Sequence, residues 1–66
     1  MVIVWSKWQY HNTWFSVVFA TIPRAGEFVE DDRGDSHNVL SVTHCMLKEG
    51  NVAKPFIRVE LEFNND

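Results

Sequence analysis

Apolar and polar residues alternate with a period of two along most of the chain, the signature of half-buried β-strands. The clearest run follows Pro55, where Ile57, Val59, Leu61 and Phe63 point one way and Arg58, Glu60 and Glu62 the other. Residues 14–22 form a second run, dense in β-branched and aromatic residues and apolar on both faces. Such a strand is expected at the centre of a closed barrel or beneath a cover. Val2, Val4, Trp8 and Tyr10 mark a first strand over residues 2–10, with His11-Asn12 turning the chain towards Trp14. Pro23-Arg24-Ala25-Gly26 reads as a tight reversal, because proline cannot donate to a ladder and glycine accepts a positive φ. A short strand over residues 27–30 follows, then a hairpin loop over residues 31–36 and a longer strand over residues 38–47. Lys48-Glu49-Gly50-Asn51 is the next turn, and a few unpatterned residues lead to the last strand. The prediction is an all-β fold, a five-stranded antiparallel meander closed into a small barrel or a strongly curled sheet. Closure is how so few strands hide their edges. Residues 1–66 read as one domain ending in a polar tail, Asn64-Asn65-Asp66.

A 66-residue chain builds a thin core and commonly needs a staple, a metal or a partner. The single cysteine, Cys45, forms no internal disulfide, and no Cys or His pair has zinc-ligand spacing. Aromatic packing by Trp5, Trp8, Tyr10, Trp14 and five phenylalanines, or self-association, is left to supply the stability. The opening residues have neither the basic region nor the apolar length of a leader or membrane span, so a cytoplasmic, reducing location is expected.

The net charge of −3 argues against nucleic acid as the main partner. Residues 1–26 hold Lys7 and Arg24 and no acid, whereas all nine acids follow, with Glu27, Glu30, Asp31, Asp32 and Asp35 close together. The acidic stretch reads first as a solvated loop, and secondly as a knob that steers a basic partner. A DNA-mimicking surface would require far more negative charge.

No constellation for catalysis emerges. His44 and Cys45 are neighbours on a strand and point to opposite faces. His11, His37 and His44 fall in different elements, so surface or turn roles fit them better than a metal site. Arg33-Gly34-Asp35 is a turn before it is an adhesion motif, and Glu60 and Glu62 suit a solvated face with Arg58. No phosphate loop or hydrolase signature is present, so neither an enzyme nor a cofactor is expected. The aromatic-rich start holds more interest. Trp5, Trp8, Tyr10 and Trp14, interleaved with Lys7 and joined by Arg24, offer more indole surface than a small barrel buries. The remainder would anchor a protein partner, a second copy or a stacking ligand. Single-stranded nucleic acid would need more flanking basic residues.

Pro23-x-x-Gly26-Glu27-x-Val29, Val39-x-x-Val42-x-His44 and Pro55-Phe56-Ile57-Arg58-Val59 together resemble small SH3-like barrel proteins of phages and bacterial mobile elements. The resemblance spans about residues 22–63. It implies an SH3-like barrel and an accessory, host-interacting role in the host cytoplasm, and it supplies no catalytic residues. The leading expectation is a protein-interaction module that inhibits or tethers its partner. The alternative is an oligomer that binds a nucleotide-like ligand at subunit interfaces, with Lys7, Arg24, Arg33 or Arg58 meeting a phosphate.

Overall fold

A computed structural model describes residues 1–63 and shows five strands: β1 (Val2–Trp8), β2 (Phe15–Phe19), β3 (Phe28–Glu30), β4 (Ser36–Glu49) and β5 (Val52–Leu61). The expected tail, residues 64–66, lies outside the described residues. The strands form one strongly curled, half-barrel sheet in the order β2-β1-β5-β4-β3. All-β architecture and curling agree with the sequence. The purely antiparallel meander does not: β1 runs parallel to β5, pairing Trp5 with Arg58 and Trp8 with Leu61. Parallel neighbours need a long crossover, and here the rest of the chain provides it. The consequence is that the first and last strands, both apolar on the inner side, occupy the middle of the sheet.

Strand β2, expected either at the centre of a closed barrel or beneath a cover, is an edge of the sheet. Its inner residues Phe15, Val17 and Phe19 are half-buried while Val18 is exposed. The half-barrel does not close between β2 and β3. A cleft lined by Phe19, Pro23, Phe28 and Val29 lies between them instead. The strand also stops at Phe19, because Ala20 to Ile22 bend away towards buried Pro23. The first strand stops at Trp8 rather than residue 10. The N–H of His11 donates to the carbonyl of Trp8 at 3.1 Å, and Tyr10 takes a left-handed φ of 69° to make that turn.

The inner face is set by register. Val4 lies opposite Val17, Ser6 lies between Phe15 and Val59, and Trp8 and Val39 flank Leu61. Val4, Val39, Val59 and Leu61 are fully buried, and Val2, Trp8, Phe19, Val29, Val42 and Ile57 pack around them. Ser6 is also buried, and its hydroxyl has no hydrogen-bond partner among the described residues. A bulge at Leu40, where Val39 pairs with Leu61 and Ser41 with Glu60, moves the inward positions of β4 from odd to even numbers. Both Val39 and Val42 therefore reach the core.

The β4–β5 hairpin is longer than its alternation indicates. Glu49 pairs with Val52 across a two-residue turn in which Gly50 has φ 60°, a geometry for which glycine at the first central position is suited. The hairpin carries the molecule to a length of 46 Å against 25 and 19 Å in the other directions.

Candidate functional site

Register on the outer face brings together residues from opposite ends of the chain. Ser16, Trp5, Arg58 and Thr43 form one row across four strands, and Lys7, Glu60 and Ser41 form the next. Trp14, just before β2, lays its ring over this junction. The Arg58 guanidinium lies 5.4 Å from the ring centre and Lys7 Nζ 6.0 Å, arrangements in which the cation is attracted to the ring face. Lys7 is also held by Glu60 at 3.0 Å and by the carbonyl of His11 at 3.0 Å. Arg58, among the described residues, meets no carboxylate. Trp5 is 43% and Trp14 38% exposed, and Ile3 and Val18 extend the apolar surface beside them. A shallow hollow of about 220 Å³ lies at the centre, lined by Lys7, Trp14, Ser41, Thr43 and Arg58.

Of the aromatic and basic residues singled out in the sequence, Trp5, Lys7 and Trp14 therefore share one surface. Trp8 does not, because it faces inward, with its ring 5.8 Å from Phe15 and 4.5 Å from His37. Tyr10 sits exposed in the turn after β1. Arg24 lies in the β2–β3 loop, where its backbone N–H donates to the Glu27 carboxylate. In the sequence, Arg58 stands out as a solvated strand residue and a phosphate partner, and Ser41 and Thr43 do not stand out at all. Only the parallel β1–β5 register places them beside Trp5 and Lys7.

The acidic stretch has internal structure of its own. Asp31 Oδ1 accepts from the backbone N–H groups of Arg33 and Asp35, both at 2.9 Å, and the N–H of Gly34 donates to the Asp31 carbonyl at 3.0 Å. Gly34 takes φ 86° in this loop. Asp31 Oδ2 lies 2.9 Å from Nε2 of buried His37, whose Nδ1 lies 3.2 Å from the carbonyl of Glu62. Both ring nitrogens of His37 thus face an oxygen, one on the loop and one at the end of β5. Glu27 and Asp31 thus hold local structure, while Glu30, Asp32 and Asp35 are exposed. A cleft of about 740 Å³ runs between this loop, Trp8 and Phe63.

The His37 hydrogen bond, followed by those from the backbone, holds the Asp31 carboxyl below its usual value, with partial desolvation opposing them. A depressed folded value contributes stability that is present above the ordinary carboxylate range and is lost as pH falls through the folded value. Asp31→Asn is accordingly expected to lower the Tm at pH 7 and to flatten the loss of Tm on acidification below about pH 4. Thermal melts of both proteins between pH 7 and 2.5 test this; parallel curves would exclude Asp31 as an acid-sensitive clasp.

His37 and His44, expected in different elements, share the long strand β4, while His11 lies between β1 and β2; among the described residues no three metal-ligating side chains gather. No helix among the described residues is long and apolar enough to cross a membrane. Comparison with known proteins finds no family model, no curated protein and no solved structure that matches the chain.

Proposed function

We propose that this protein is a small β-sheet interaction module. It docks, through the outer face of its sheet, onto a partner protein that presents a carboxylate beside apolar side chains. The observation that carries this reading is the Trp14 ring lying against Lys7 and Arg58, next to half-exposed Trp5. Tryptophan and arginine dominate the energetics of protein interfaces, and Arg58 is the cation of this surface left without a carboxylate among the described residues. In the phage-type accessory setting implied by the sequence resemblance, the partner is a host protein that the module inhibits or tethers. The nucleotide-like ligand is the weaker reading. The hollow at Lys7 and Arg58, which Glu60 also lines, measures about 220 Å³ and is smaller than the roughly 300 Å³ at which ligand pockets begin, and the larger cleft sets the carboxylates of Asp31, Asp32 and Asp35 beside Arg33.

The test is affinity capture with the wild type, Trp14→Ala, Arg58→Glu and, as a control away from the surface, Tyr10→Ala. A partner that Tyr10→Ala retains should be lost by the two outer-face variants while their circular dichroism stays that of the wild type. The Trp14 truncation is expected to weaken binding by about 2 kcal/mol or more. Equal capture by all four folded proteins would refute the outer-face reading.

A further inference from the structure

Among the described residues, the half of the β4–β5 hairpin beyond the body of the sheet has no third strand paired to it on either side. Pairing with β3 uses only the first residues of β4, up to Val39, and pairing with β1 uses only residues 58–61 of β5. From Leu40 to the turn, one edge of β4 presents N–H and C=O groups with no strand partner among the described residues, and residues 52–56 of β5 do the same on the other side. A lone two-stranded ribbon is marginal in water, and this one carries Met46 at 78%, Leu47 at 52% and Val52 at 58% exposure. The ion pair at its tip, Lys54 with Glu49 at 3.2 Å, is exposed on both sides and adds little.

The two edges are not equivalent. Natural edge strands are blunted with proline and lysine, and β5 has both in Lys54-Pro55. The β4 edge over residues 41–47, Ser-Val-Thr-His-Cys-Met-Leu, has neither, and its first charges come at Lys48 and Glu49 near the turn. We propose that this β4 edge pairs antiparallel with the same edge of a second copy, forming a twofold dimer with one sheet running through both chains. An edge paired with itself in this way is self-complementary about a twofold axis, so one sequence satisfies both sides.

The exposed area supports that occupant. The chain has 5165 Å² of accessible surface, roughly 800 Å² more than the about 4,300 Å² that size scaling gives for a compact chain of its mass. About 800 Å² per partner is what a standard stable interface covers. The radius of gyration, 12.8 Å, likewise exceeds the about 11 Å of a compact domain of this length. The mostly apolar cleft of about 560 Å³ beneath the ribbon, lined by Val2, Ile22, Met46, Pro55 and Ile57, adjoins the open edge and gives a second copy's side chains a place to pack.

This dimer uses a different surface from the outer-face site and stands or falls independently of it. The experiment is sedimentation equilibrium of the untagged protein, with Met46→Lys and His44→Lys as edge variants and Val18→Lys as the comparison at β2. Met46, His44 and Val18 are all exposed, so the monomer fold tolerates each change. The wild type should sediment at twice its 7.7 kDa. Each edge variant should dissociate about tenfold or more readily, because two lysines would be carried into the joint, while Val18→Lys stays dimeric. A wild-type monomer throughout the micromolar range overturns the proposal, and so does a dimer broken by Val18→Lys but not by the edge variants.

Discussion

Leu61→Ala is expected to lower the unfolding free energy by about 3 kcal/mol, within the 2–5 kcal/mol typical of leucine truncation in a core. Leu61 is 3% exposed and lies where three strands meet, opposite Trp8 on β1 and Val39 on β4. Its carbonyl also accepts from the N–H of Gln9 at 2.8 Å, continuing the β1–β5 ladder past the end of β1. With so few fully buried side chains, little can shift to refill the space. A 66-residue domain has only about 3–10 kcal/mol in total, so the substitution removes a large share. Urea denaturation followed by circular dichroism measures it. The midpoint should fall steeply with the slope unchanged; a loss below about 1 kcal/mol would mean that the packing centre lies elsewhere. If the protein dimerises through β4, the two proteins must be compared at equal concentration.

The centre of that packing was legible in the sequence, and its surroundings were not. The alternation at Ile57, Val59 and Leu61 marks β5 unmistakably, and the same parity at Val2, Val4 and Trp8 marks the inner face of β1. Parity already separates Trp5 from Trp8, three residues apart on one strand, and grouping them by aromatic density loses that information. The distal ribbon escaped because Ala53-Lys54-Pro55 has neither alternation nor strong β-propensity; its pairing follows from the Gly50 turn and from β4 lying opposite. Parallel pairing of β1 with β5 leaves no local signal at all, being a consequence of how the inner faces of distant segments fit. The outer-face cluster depends on that register, which is why Arg58, Ser41 and Thr43 could not be joined to Trp5 from sequence.

Trp8→Ala is expected to destabilise the fold by about 2–4 kcal/mol, somewhat under the range for a fully buried tryptophan, and by more than Trp5→Ala or Trp14→Ala. The indole of Trp8 bridges three elements: Phe15 at 5.8 Å on β2, His37 at 4.5 Å on β4, and Leu61 opposite it on β5. Its removal should reach beyond the core. His37 is held by Asp31 on one side and the Glu62 carbonyl on the other, and Trp8 packs on its ring edge-on. Loss of that packing frees the imidazole to solvent, and Asp31, whose carboxylate organises the Arg33 and Asp35 amides, loses its anchor. Amide hydrogen exchange at Arg33 and Asp35 should therefore accelerate in Trp8→Ala beyond the change seen in Val18, and Trp8→Phe should restore part of the protection. Trp14→Ala removes a ring that lies over Lys7 and Arg58 on the outside of the sheet and should leave the exchange of the loop unchanged. If Trp14→Ala instead loosened residues 31–35 as much as Trp8→Ala, inner and outer tryptophans would not be separable, and a docking surface that can be altered without disturbing the fold would have no basis.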